Sequence, residues 1–324
     1  MAITLKQLRY FVALAEARHF GRAAESVHVS QPALSVQIRE LEAGLGGPLV
    51  ERGTQGVVTT PFGREALGHA RRVLAAVEDL EQAARWRGGL AGRLRLGMIP
   101  TVAPFLLPEA LARLRARDLT LEVQVEEAPT ADLLTALAHG TIDAAVLALP
   151  ADLSGLVELP LFRETFLLAG SAEAVARFAA LPPLRPEKIP ADQLLLLGEG
   201  HCLTDQALAA CRIAPEARRV DMSASSLSTL TGLAAAGFGV TLLPEIAIPR
   251  IAASTPDLVT CPFADDPPGR TIGLVRRAGA GGDDGWFAEL ATHLASAGEA
   301  VLARAALDNR GRGVYVQDQA MGGT

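Results

Sequence analysis

From Arg93 onward the chain alternates short strand-forming runs with longer helical ones, and this alternation restricts the fold more than any other feature. Arg93–Met98 reads as a strand and Phe105–Arg117 as a helix; Leu121–Glu126, Ala131–His139 and Ala144–Leu149 repeat the pattern as strand, helix and buried strand. It returns in Leu194–Leu197, Leu227–Ala236, Val240–Leu243 and Ile272–Val275, and a helix over Trp286–Leu302 ends it. A strand joined to the next by a helix-sized connection pairs with it in parallel. The pattern therefore predicts an α/β fold with a mostly parallel sheet. Residues 307–324, with Gly311, Gly313, Gly322 and Gly323, carry no period and read as a flexible tail.

The first ninety residues follow a different rule. Residues 4–17 place Leu5, Leu8, Phe11, Val12 and Ala15 at helical spacing, and Phe20–Val27 reads as a short second helix. Ser30 is an N-cap and Pro32 a first-turn residue for a third helix, whose apolar face is Leu34, Ile38 and Leu41 and which Gly44 and Gly46 end. Val50–Thr60 predicts a hairpin around Thr54-Gln-Gly56, the wing that follows a helix-turn-helix. Phe62–Trp86 is a long helix with Ala66, Ala70, Val73, Leu74, Val77, Leu80 and Ala84 close to a coiled-coil seam. It is either a core helix or a linker that pairs with a second chain; the flanking arginines and the Gly88–Gly92 exit favour the linker.

Charge divides at the same place. Residues 1–95 hold 13 Lys/Arg against 9 Asp/Glu, the remainder 17 against 27. A basic module joined to an acidic one points to nucleic acid at the first. The 324 residues leave room for two or three domains, and 49% hydrophobic with 20% charged residues describes a folded, soluble chain. No apolar run reaches transmembrane length and no signal peptide is evident, which makes the cytoplasm the expected address and excludes a membrane partner.

Only three cysteines occur, and two of them, Cys202 and Cys211, lie in Gly198-Glu-Gly-His-Cys-Leu-Thr-Asp-Gln-Ala-Leu-Ala-Ala-Cys211. Residues 203–210 are good helix formers. A helix would hold the two cysteines roughly 13 Å apart, whereas a disulfide needs Cα atoms within about 7 Å. Bridging them would demand unwinding, and so a switch. The simpler alternative is two buried cysteines acting as small core hydrophobes. Gly198 and Gly200 fit a strand-to-helix turn that puts Cys202 at a helix start, where the dipole favours a thiolate. Cys261 stands in no motif and reads as a bystander.

Two stretches resemble a known family. Val29-Ser-Gln-Pro-Ala-Leu-Ser-Val-Gln-Ile-Arg-Glu-Leu-Glu42, followed by Gly46 and Leu49, is similar to the winged helix-turn-helix of LysR-type transcriptional regulators. The cysteine segment resembles that of the hydrogen-peroxide-sensing members of that family. Further matches include His19-Phe-Gly-Arg-Ala-Ala24, Ile99-Pro-Thr-Val-Ala-Pro104, Leu242-Leu-Pro244 and Arg270-Thr-Ile-Gly-Leu-Val275, so the likeness covers roughly residues 1–300.

The resemblance implies an N-terminal winged helix-turn-helix over 1–61, a linker and dimerisation helix over 62–90, and a two-lobed, periplasmic-binding-protein-like α/β regulatory domain over 91–306. Lobe I would take 91–165 and 268–306, and lobe II 166–267. It implies Cys202 as the peroxidatic and Cys211 as the resolving cysteine, with no metal and no cofactor. Thr101, Thr130, His201, Asp205 and Arg270 would form the peroxide site, although helix capping would account for either threonine and a surface position for the arginine. On DNA, Ser30, Gln31, Pro32 and Ser35 would lead the third helix into the major groove, with Arg39 at phosphate and Arg52 reaching from the wing. The implied partners are double-stranded operator DNA, hydrogen peroxide, RNA polymerase and three further copies in a homotetramer, a dimer of dimers. One departure stands out: Thr204 occupies a position where such sensors commonly carry arginine. Two other readings remain, a regulator that binds a small metabolite between its lobes and a thiol peroxidase; the DNA-binding half argues against an enzyme.

Overall fold

The computed structural model describes residues 3–53, 56–85, 89–151, 155–180, 183–214, 216, 223–278 and 285–312. Two compact units divide the chain, Met1–Arg85 with Ala138–Thr141 and the remainder.

In the first unit, α1 (Leu5–Ala17) opens with a reciprocal cap between Thr4 and Gln7. His19 caps α2 (Phe20–Ser26) through Nδ1, which accepts from the Gly21 and Arg22 N–H groups. Ser30 caps α3 (Gln31–Leu45), whose Leu34, Ile38 and Leu41 pack with Tyr10, Phe11, Leu14, Ala23 and Ala24. Gly44 continues the helix; Gly46, with φ near 80°, ends it, because a left-handed residue cannot extend a right-handed helix. The wing is an antiparallel pair, β1 (Val50–Gly53) and β2 (Gly56–Thr59). Glu42 fastens it, its Oε1 accepting from the Leu49 and Val50 N–H groups. The hairpin tip at Thr54 and Gln55 lies outside the described residues, as does the Arg52 side chain. α4 (Pro61–Arg85) leaves Phe62, Val73 and Leu80 exposed, Leu80 at 72%.

The second unit is built on a mixed sheet. β3 (Arg93–Met98), α5 (Ala103–Arg117), β4 (Glu122–Glu127), α6 (Thr130–His139) and β5 (Ala144–Leu149) alternate, and β3 pairs in parallel with both β4 and β5. A fifteen-residue strand, β6 (Leu156–Gly170), then crosses the whole unit, followed by α7 (Ala172–Ala179), β7 (Leu196–Leu197), α8 (Cys202–Ala210), β8 (Ser223–Ala224) and α9 (Leu227–Ala235). β9 (Val240–Pro244), α10 (Ile248–Ser254), β10 (Val259–Pro262), β11 (Gly269–Arg277) and α11 (Gly285–Arg312) complete it.

The main sheet runs β10, β6, β11, β5, β3, β4, with β9 also on β6. Leu156–Thr165 of β6 pair with β11, and Phe166–Gly170 pair with β9 and β10. The strand thus changes partners between Thr165 and Phe166 and joins two lobes. These β6 and β11 pairings are antiparallel, which corrects the expectation of a mostly parallel sheet. The sequence hides β6 because Pro160 and the run Arg163-Glu-Thr165 interrupt its apolar pattern. A second correction concerns the tail: α11 continues through Arg312, past the expected end at Leu302, and buries Ala305 beyond it. Residues 313–324 lie outside the described residues. Among the described residues no helix is long and apolar enough to cross a membrane.

Candidate functional site

Cys202 is the first residue of α8 and partly buried; Cys211 follows its last turn and is buried. All three cysteines are free thiols. Nine residues of helix hold the first two about 13 Å apart, as the sequence predicts. Their environments differ. Burial, with Glu187 nearby adding to it, pushes the Cys211 thiol up to about 12, so at neutral pH it is a protonated, poor nucleophile. Cys202 opens α8, and a helix start presents unpaired N–H groups. Cys261, on β10, is buried and its thiol is likewise raised by burial.

The turn into α8 is tightly specified. The Gly198 N–H donates to the Ala224 carbonyl, and Gly200 takes φ near 88°, a left-handed conformation suited to glycine. A Cβ on Gly200 would stand 3.9 Å from the Pro129 Cβ, so the cysteine turn lies against the start of α6. His201 occupies the N-cap position, partly buried, without a side-chain capping bond. Leu203, Ala207 and Leu208 anchor the helix in the core. Asp205 is exposed and faces away from them.

Thr204 is buried and its hydroxyl donates to the Leu197 carbonyl at 3.0 Å, tying the first turn of α8 back to β7. At this buried place the threonine carries no charge and serves as a strut. Thr204→Val keeps the volume and removes the bond. Its expected cost is about 1 kcal/mol of stability. Denaturant unfolding of the variant beside the unaltered protein measures it.

Arg270 and Thr101 are brought together. Arg270 is buried, not on the surface: its Nη1 donates to Thr101 Oγ1 at 2.9 Å, its Nη2 to the Thr101 carbonyl at 3.4 Å and its Nε to Glu164 Oε1 at 2.8 Å. Thr101 caps nothing; Val102 holds the N-cap position of α5 without a side-chain bond. Capping, the simpler alternative for Thr130, does not account for it either. It opens α6, but its Oγ1 is buried without a hydrogen-bond partner among the described residues. The Ala128 N–H donates to the Met98 carbonyl at 3.3 Å, which joins the loop before Thr130 to the strand that leads to Thr101.

Thr101, Thr130 and the cysteine turn therefore share one end of the lobe I sheet. Gln206 belongs with them and was not read from the sequence. It lies one turn beyond Cys202, four residues on, and its Oε1 is buried without a hydrogen-bond partner among the described residues. The i, i+4 spacing was the available signal. Buried polar atoms are nearly always hydrogen-bonded, so both oxygens are free to accept from water or a small polar molecule. Among the described residues no cluster of three or more His, Cys, Asp or Glu is placed to hold a metal.

On α3, Gln31, Pro32 and Arg39 are exposed and Ser35 is half-buried; Arg39 Nε donates to the Ser35 carbonyl at 3.4 Å. The Ser30 side chain accepts from the Ala33 N–H, so it is engaged in capping.

Residues 5–64 match the family model described as bacterial regulatory helix-turn-helix protein, lysR family, and residues 87–284 match the LysR substrate binding domain. A probable hydrogen peroxide-inducible genes activator of Mycobacterium avium is 43% identical over 294 residues, covering 87% of this chain and 91% of the relative. The DNA-binding transcriptional dual regulator OxyR of Escherichia coli K12 is 41% identical, covering 86% and 90%. Among solved structures, a cysteine-to-serine OxyR variant of Corynebacterium glutamicum with hydrogen peroxide bound matches at TM-score 0.65 and 38% identity, over 95% of this chain and 96% of that one. A full-length OxyR variant of Pseudomonas aeruginosa matches at TM-score 0.68 and 32% identity, over 92% and 95%. With both its modules matched and these relatives aligned along most of their length, the chain belongs to the LysR family of transcriptional regulators, in its OxyR group.

Proposed function

We propose that this regulator senses hydrogen peroxide through Cys202 and transmits the change to DNA bound by its winged helix-turn-helix. The observation that carries the reading is the placement of Cys202 at the start of α8, a helix that also carries the buried Gln206 Oε1, against a sheet end with the buried Thr130 Oγ1, both oxygens without a hydrogen-bond partner among the described residues. The Cys202 thiolate attacks one peroxide oxygen; an S–O bond forms, the O–O bond breaks and the leaving hydroxide takes up a proton to become water. Sulfur loses two electrons and becomes a sulfenic acid. Thr101, Thr130, His201 and Arg270 supply hydrogen bonds or positive charge around the reacting oxygens. Asp205 is exposed and contributes least. Cys211 then attacks the sulfenic sulfur and a second water leaves, giving the Cys202–Cys211 disulfide. Because Cys211 is buried and protonated, this second step requires α8 to unwind, which both brings the sulfurs together and exposes the resolving thiol. The oxidised regulatory domain then controls antioxidant genes.

Ser30, Gln31, Pro32, Ser35, Arg39 and Arg52 carry DNA contact in this reading, the first of them by setting the helix start. The exposed apolar stripe of α4, with Ile3 and Leu5 beside it, supports pairing of two chains through this helix. Two such pairs would make the tetramer, acting on RNA polymerase in the cytoplasm.

Cys211→Ser separates the two steps. After micromolar peroxide the variant is expected to accumulate sulfenic acid at Cys202, read by dimedone trapping and mass spectrometry, where the unaltered protein forms the disulfide. Absence of any Cys202 oxidation in both proteins, with a small metabolite changing DNA binding instead, would identify a ligand-binding regulator.

A further inference from the structure

Glu164 belongs to no motif, yet it is the most completely buried charged side chain at the lobe junction. It stands directly opposite Arg270 in the β6–β11 ladder, two residues before β6 changes partners. Its side chain is 0% exposed and that of Arg270 1%. One oxygen accepts from Arg270 Nε at 2.8 Å; the other accepts from the Ile246 N–H at 3.0 Å. The carboxylate is thereby fixed at both oxygens. Burial pushes its carboxyl up while Arg270 and the Ile246 N–H pull against it. The guanidinium is held in turn on three sides, by Glu164, by Thr101 and by the Phe166 ring 5.8 Å from its carbon.

A threonine hydroxyl has one proton and two lone pairs, and arginine only donates. With Arg270 Nη1 directed at Thr101 Oγ1, the threonine must accept there and donate its own proton elsewhere. We infer that Glu164 is a positioning residue for peroxide reduction: it aims Arg270, and through Arg270 it dictates which way the Thr101 hydroxyl donates. This rests on the reading of Cys202 as the peroxide-reactive thiol. A donor aimed at the leaving oxygen lowers the barrier to O–O cleavage, whereas a freely turning hydroxyl spends much of its time misdirected.

The test compares two rates at Cys202 in the full-length protein. Hydrogen peroxide requires thiolate, access and a polarised O–O bond. Iodoacetamide requires only thiolate and access. Glu164→Gln leaves one acceptor oxygen for two N–H donors, so either Arg270 or Ile246 loses its partner. Glu164→Asp keeps the charge and withdraws the carboxylate by one methylene, and it carries the test should the glutamine variant not fold. The expected result is a fall of about tenfold or more in the peroxide rate, with the iodoacetamide rate changed less than about twofold. Equal falls in both rates, or no fall in either, overturn the inference and leave Glu164 a purely structural partner. A wild-type Cys202 no faster with peroxide than a free thiol overturns the peroxide reading itself, and this with it.

Discussion

Cys202→Ser is expected to bind operator DNA as the unaltered chain does and to lose the transcriptional response to hydrogen peroxide completely. The two halves of this expectation have separate physical grounds. Serine differs from cysteine by one atom and is well accepted in the first turn of a helix, and α8 is held by Leu203, Ala207, Leu208 and the Thr204–Leu197 bond, none of which the exchange touches. The helix-turn-helix has its own core around Phe11, Leu14, Leu34 and Ile38. Reaction is another matter. A hydroxyl is not ionised at neutral pH, and without a thiolate nothing attacks the O–O bond. Fluorescence anisotropy on operator DNA and a peroxide-treated transcription assay measure the two parts. A surviving response would place the sensor elsewhere in the chain.

Arg270→Met is expected to be the most damaging single exchange at the site. It removes the partner of a fully buried carboxylate, and losses of this kind cost about 3–5 kcal/mol. The pH dependence has a definite sign. Without Arg270, desolvation stands less opposed and the Glu164 carboxyl is raised further. A folded-state value above the unfolded one means that the folded state binds the extra proton, so stability is lost as pH rises toward neutrality. The deficit relative to the unaltered protein should therefore be largest near pH 7 and shrink toward pH 5. Urea unfolding at the two pH values gives the comparison, and peroxide oxidation of Cys202 should fall with the exchange at either. A deficit under about 1 kcal/mol at pH 7 would mean that the buried ion pair contributes far less than its burial implies. A deficit that grows on acidification would rule out Glu164 as its source.

Glu164 also shows where sequence reading stops. The helices of the first unit were legible because they carry local signals: the apolar spacing of Leu5, Leu8, Phe11 and Val12, Ser30 with Pro32, and Gly46 at the end of α3. The lobe I strands and helices alternate cleanly and were legible for the same reason. β6 was not, because a strand that crosses from one lobe to the other meets Pro160, Arg163 and Glu164 along its length, and each of these belongs there only once its partner is known. At the site, the two cysteines, His201 and the start of α8 could be read locally. For Thr130, capping was the simpler alternative to a place in the peroxide site, and residue type could not exclude it, because the backbone conformation at the loop decides where its hydroxyl goes.

The sequence by itself determined the modules, the position of Cys202 at a helix start and the incompatibility of that helix with a Cys202–Cys211 bridge. These follow from periodicity, caps and helix rise, which act over a few residues. Only the tertiary structure decided that Arg270 meets Thr101 across 169 residues and Glu164 across 106, and that Cys211 is buried and protonated. Desolvation and long-range hydrogen bonding depend on which segments the fold brings together, and no local pattern encodes that.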